Sequence, residues 1–169
     1  MIRPALAALL VLVLAVPAVA APSPKMGIDS FAQLATPLPY PYDEAANADA
    51  QVARARARAK ATGKLLLIDL GGNWCGDCRI LAATMERPEL KTFVDRRYQL
   101  VMVDVGRFDK NLQIPAHWGI TERLEGVPAL LVVDPRTDRL LDAGRVSALQ
   151  DARNMSPQAL ADWLAQWPR

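Results

Sequence analysis

Apolar and polar positions along the chain fall into two regimes. Uninterrupted apolar runs of strand length occur at KLLLIDL (64–70), YQLVMVDV (98–105) and ALLVVD (129–134). Such runs lack the in–out alternation of a half-solvated strand and predict strands covered on both faces. Between them lie segments with helical spacing. One covers about 44–61 and ends before Gly63, and CRILAATMER repeats apolar positions at Cys78, Leu81, Ala82 and Met85. PELKTFVDRR opens with Pro88, suited to a first helical turn. Ser156-Pro157 supplies a cap and a first-turn proline for PQALADWLAQW, where Leu160, Trp163, Leu164 and Trp167 form one stripe. After the turn PRTD, RLLDAG predicts a fourth strand ending at Gly144, while GRFDKNLQIPAHWGI predicts nothing regular. This order predicts an α/β domain, with parallel strands joined by crossovers first and an antiparallel hairpin last.

The N-terminus stands apart. MIRPALAALLVLVLAVPAVA carries Arg3, an apolar run from Ala5 to Val16 and the small-x-small close Ala18-Val19-Ala20. The run is shorter than the ~20 residues that span a bilayer, so 1–20 is expected to be a cleaved secretory signal peptide. The protein is then expected to be periplasmic or secreted, with no stable membrane insertion after cleavage. Residues 21–43 are a proline-rich N-terminal extension without sustained periodicity, and 44–169 form the domain.

Charge alters this picture little. The formal net charge is +2, and loss of Arg3 leaves +1, so nothing points to a nucleic-acid partner. The alternating Arg54, Arg56, Arg58 and Lys60 sit among alanines, which favour helix over strand. On a helix they divide over two solvated faces, Arg54 with Arg58 and Arg56 with Lys60.

The chemistry concentrates in GGNWCGDC (71–78), which holds the chain's two cysteines, Cys75 and Cys78. In an oxidising compartment a pair of cysteines suggests a structural disulfide, but a bridge closing so short a loop contributes little stability. Structural zinc needs four ligands, and two cysteines plus the one histidine, His117, fall short. Covalent haem attachment needs a histidine after the second cysteine, where Arg79 stands. Copper(I) remains open, bound by Cys75 and Cys78 with or without His117, as in a metallochaperone. Thiol–disulfide exchange also remains open. Cys75 follows a buried strand where a helix begins, and unpaired N–H groups there favour a thiolate. Cys78, three residues on, can attack a mixed disulfide on Cys75.

LLLIDLGGNWCGDC together with EGVPALLVVD resembles the thioredoxin superfamily over roughly residues 45–167, and exported bacterial members in particular. The resemblance implies a thioredoxin-like fold, a central mixed β-sheet flanked by helices. It implies a thiol–disulfide oxidoreductase acting on protein thiols and disulfides, needing no organic cofactor beyond the redox-active Cys75–Cys78 disulfide. A membrane-bound or soluble thiol electron donor would restore the dithiol. Cys75 matches the nucleophile and Cys78 the resolving thiol. Asp69 matches a buried carboxylate that aids proton transfer; an acid closing an apolar strand is costly to desolvate, which agrees. Pro128 matches a cis-proline that turns the Val127 backbone toward a bound substrate strand, and Trp74 matches an aromatic shield beside the nucleophile.

Three departures bear on redox poise. Asp77 stands where thioredoxin has proline, and its charge is expected to oppose a Cys75 thiolate while Arg79 and the helix dipole favour it. The histidine of a Cys-Pro-His-Cys motif is missing, which leans the protein toward the reducing end of the family's range of about −270 to −120 mV. Ala83 lies near the place of a helix-kinking proline. Arg107 and Asp109, after the second strand, suit a solvated loop, with a local ion pair or a place lining the groove as the alternative; His117 and Trp118 are candidates for the substrate face, although a lone loop histidine is more often structural or exposed.

Overall fold

A computed structural model describes residues 21–168, so the expected signal peptide lies outside the described residues. Four strands form one mixed sheet: β1 (Leu65–Gly71), β2 (Tyr98–Asp104), β3 (Ala129–Asp134) and β4 (Arg139–Leu140), in the order β2-β1-β3-β4. β1 runs parallel to β2 and antiparallel to β3, and β3 pairs antiparallel with β4. The α-helices are α1 (Ala48–Thr62), α2 (Gly76–Met85), α3 (Pro88–Arg97), α4 (Gln113–Ala116) and α5 (Pro157–Ala165).

Every residue of β1 is buried, because its two faces meet two different layers. Leu65 and Leu67, with Leu130 and Val132 of β3, pack among Leu81, Leu90, Phe93, Leu160 and Leu164 of α2, α3 and α5. Leu66, Ile68 and Leu70 point the other way, toward Val52, Ala55 and Ala59 of α1. The strand period of two therefore explains the continuous apolar run: both alternating sets are core.

Local differences from the expected boundaries have identifiable causes. α1 starts at Ala48 rather than near residue 44, since Asn47 caps it by accepting from Ala50 N at 2.9 Å. Upstream, Asp43 Oδ1 accepts from Ala45 N and shapes a turn. The expected fourth strand, RLLDAG, shrinks to Arg139–Leu140. Leu141 N still reaches Val132 O, but the Asp142 carboxylate takes Val132 N at 3.0 Å, so a side chain replaces the next rung of the ladder. Gly144, at φ +77°, then turns the chain away. α4 lies in the stretch expected to be irregular.

The proline-rich segment at 21–42 lies against the domain as a strap. Apart from a 3-10 turn at Phe31–Gln33 it has no helix or strand, and it buries Met26, Ile28 and Leu34 in the α2–α3–α5 core layer. Its far end delivers Tyr42, buried, to the C-terminal end of β1.

Candidate active site

The site begins where β1 runs out. Cys75 N donates to Gly72 O at 3.0 Å, closing the turn that leads into α2. Cys75 is the N-cap of α2, and its Sγ accepts from Cys78 N at 3.1 Å. A sulfur in the capping position receives the N–H groups and positive dipole end that stabilise a thiolate. Cys75 and Cys78 form a disulfide across the first turn, with Cα atoms 5.3 Å apart. Cys78 is fully buried while Cys75 keeps 5 % of its surface exposed, so a partner reaches Cys75 first.

The Val127 carbonyl lies 3.4 Å from Cys75 Sγ, and the Val127–Pro128 peptide is cis. These residues immediately precede β3, which places their backbone beside the sulfur. Trp74 is 43 % exposed, so it is a surface ring rather than core. Its Nε1 donates to Gly106 O at 2.7 Å, Phe108 meets it edge-on, and the Arg107 guanidinium sits 4.8 Å from its centre. The loop expected to be merely solvated therefore braces Trp74.

Asp69 is fully buried beneath the dithiol, on the same face of β1 as the position where Gly71 lacks a side chain. A Cβ at Gly71 would collide with Tyr42 Oη and lie 2.8 Å from Cys78 Sγ, so glycine is what lets these groups meet. Tyr42 Oη donates to Asp69 Oδ1 at 2.9 Å, and Oδ2 has no partner among the described residues. Burial pushes the Asp69 carboxyl up to about 7, with the Tyr42 hydrogen bond pulling the other way.

Asp77 has the opposite environment. Arg153, from a 3-10 turn at Ala152–Asn154, grips it with Nε at 2.9 Å and Nη2 at 2.6 Å, and Arg153 N also donates at 2.9 Å. Burial pushes this carboxyl up, but the Arg153 bonds outweigh it and hold it below the ordinary range. Arg79, expected to favour the Cys75 thiolate, makes its hydrogen bonds elsewhere. Arg79 points away, donating to Pro39 O at 3.0 Å and Leu38 O at 2.7 Å and stacking on Tyr40. On a helix, side chains two positions apart do not face each other, and the strap's carbonyls lie on the Arg79 side.

His117 and Trp118 sit away from this cluster. His117 Nε2 is 2.8 Å from Asp138 Oδ2, Trp118 Nε1 donates to Asp138 O, and Arg56 bridges the same carboxylate. Together they border a cleft of about 570 Å³ against α1. Among the described residues, no group of three or more His, Cys, Asp or Glu side chains is arranged to hold a metal.

Comparison with known proteins agrees with this geometry. A thioredoxin-like family model matches residues 47–135. A disulphide isomerase from Xylella fastidiosa Temecula1 is 35% identical with a TM-score of 0.68, over 76% of this chain and 96% of that one. The C-terminal domain of DsbD from Neisseria meningitidis, in its oxidised form, is a looser likeness: 24% identity and TM-score 0.40, over 54% and 77% of the two chains. No curated protein matches. The chain belongs to the thioredoxin-like family. With its Cys-x-x-Cys disulfide at the start of α2, it is a thiol–disulfide oxidoreductase.

Sequence reasoning missed Tyr42, Asn73 and Arg153. Tyr42 and Arg153 are 29 and 75 residues from the nearer end of the motif, in loop-rich contexts. Asn73 stood inside the motif, and only its fold-back onto the strap reveals a role.

Proposed function

We propose that the protein reduces or exchanges disulfides of exported protein substrates, with Cys75 as nucleophile. The observation that carries this reading is the position of Cys75 Sγ, which caps α2 and lies 3.4 Å from the Val127 carbonyl. A substrate strand laid along Val127–Pro128 presents its disulfide to that sulfur, and Trp74 shields one side. The Cys75 thiolate attacks one substrate sulfur, forming a mixed disulfide and releasing the other sulfur as a thiolate that takes a proton from water. Cys78 then gives its proton to the Asp69 carboxylate and attacks Cys75, which expels the second substrate thiolate. The substrate gains two electrons, and the enzyme's dithiol becomes the disulfide. Asp69 passes its proton to the departing thiolate or to water. A thiol donor, membrane-bound or soluble, restores the dithiol in the reverse sequence.

The export of its substrates rests on the leader-like 1–20 segment and implies a periplasmic or secreted site of action. Among the described residues no helix is long and apolar enough to cross a membrane. What supports reduction as the direction of flux is the absence of a histidine between the cysteines, which leaves the reduced form less stabilised. The test is insulin reduction driven by dithiothreitol. The protein should accelerate precipitation at least tenfold over a Cys75→Ser variant; equal rates would sink the reading. Cys78→Ser should accumulate substrate mixed disulfides on Cys75.

A further inference from the structure

The strap holds a tyrosine against the carboxylate that the proposed mechanism uses, and the hold is specific. Tyr42 N donates to Asn73 Oδ1 at 3.1 Å, and Asn73 Nδ2 donates back to Tyr42 O at 2.9 Å. Asn73 lies two residues before Cys75. On the other side of the motif Arg79, one residue after Cys78, grips Leu38 O and Pro39 O. The strap end is thus fastened on both sides of the dithiol. The fastening places Tyr42 Oη on Asp69 Oδ1 and beside the glycine gap that also admits Cys78 Sγ. Tyr42 lies before residue 47, outside the span the family model matches.

The geometry points to Tyr42 as a positioning residue for proton transfer: its hydroxyl orients the Asp69 carboxylate, through Oδ1, so that the free Oδ2 serves the Cys78 thiol. This inference rests on the proposed role of Asp69. A donor hydroxyl stabilises the ionised carboxylate, which is the form that accepts the Cys78 proton. The groups facing this arrangement are Tyr42 from the strap, Cys78 from α2, and Asp104 from the end of β2, whose charge bears on Tyr42. Asp104 is itself held by Lys110 at 3.3 Å. Burial and the neighbouring Asp69 and Asp104 keep the Tyr42 hydroxyl protonated, its pKa raised well above 10, so it remains a donor throughout the working range. In the transfer the S–H bond of Cys78 breaks and an O–H bond forms on Asp69; Tyr42 keeps its proton.

Tyr42→Phe removes the donor and keeps the ring. Its pH profile for insulin reduction should move to higher pH by about one unit, with roughly a tenfold loss on the acid side and recovery on the alkaline side. The Asp69 carboxyl carbon, followed by NMR in the same variant, should titrate at correspondingly higher pH. A uniform loss at every pH, or an unmoved titration, would overturn the inference by reducing Tyr42 to a packing residue. Arg79→Ala loosens the strap without touching Asp69 and carries the same test if Tyr42→Phe does not fold; its midpoint should move the same way by less, and an unmoved one overturns the inference. Asp69→Asn separates the two readings. If it abolishes the pH transition while Tyr42→Phe leaves the transition in place, only the Tyr42 inference fails. If Asp69→Asn itself leaves the profile unchanged, the proton-transfer role of Asp69 fails and the inference with it.

Discussion

Two carboxylates flank the same dithiol, one in the floor beneath it and one on its rim. Asp69 is sealed under Cys78 with a neutral hydroxyl as its hydrogen-bond partner, and among the described residues it makes no ion pair. Asp77 stands in the first turn of α2, where the helix dipole favours an anion, and Arg153 meets it with a charged fork and a backbone N–H. Burial raises the acid's pKa in both places. Only on the rim does a cation reverse it. The residue type is the same in both places, so the sign of the shift is set by what the surrounding chain brings. The difference in sign also separates two tasks: a carboxylate that titrates near neutrality can move protons, whereas one locked as an anion can only fix charge and geometry.

The largest expected effect lies in the floor. Because the folded Asp69 binds its proton up to about pH 7 and the unfolded one only to about 3.8, the native state gives up stability as pH rises between those values. The full interval corresponds to about 4 kcal/mol. Denaturant titrations should therefore show stability falling from pH 4 to 8, with Asp69→Asn flattening most of the slope. Asp142, raised to about 6 by its burial, leaves a residual decline of the same sign. An unchanged slope in Asp69→Asn would remove the floor from the comparison.

The rim should respond with the opposite sign and smaller size. Asp77 is held low, so its contribution is present above the unfolded carboxyl's pKa and is lost as pH falls below it. Asp77→Asn should cost about 1 kcal/mol at pH 7, from weakened bonds to Arg153, and little at pH 3. A cost that does not change with pH would show that the rim pair acts only through packing. The smallest effect is electrostatic. Arg153→Ala leaves Asp77 unpaired beside the Cys75 thiolate, destabilises the reduced form and should lower the reduction potential by on the order of 20 mV. Equilibration against dithiothreitol measures this, and an unmoved potential would make the rim electrostatically silent.

The core strands were readable because β1 and β3 are buried on both faces, which leaves a local signature of unbroken apolar residues. α3 and β3 match their expected ranges, since Pro88 and Pro128 mark where they begin in the sequence itself. β4 was overestimated because a distant backbone N–H, that of Val132, captures Asp142, and no local pattern announces such a capture. Cys75 and Cys78 were legible as a pair because spacing and a strand-to-helix boundary suffice to define the first turn. Asp69 was legible as an acid at the end of an apolar strand. Its partner was not, because Tyr42 lies in a segment with no periodicity whose path depends on Asn73 and Arg79. The direction of Arg79 was not legible for the same reason: nearness in sequence suggested the Cys75 thiolate, while the strap's carbonyls decided where the side chain lies.

The sequence by itself determined the chain order of the four strands and the four longer helices, the dithiol and its place at a helix start, because these depend on hydrophobic periodicity, turn residues and near-neighbour spacing. Only the tertiary structure decided which groups face the two sulfurs. Tyr42 and Arg153 reach the site from two distant segments, and a hydrogen bond or ion pair acts over a few ångströms of space whatever the separation along the chain.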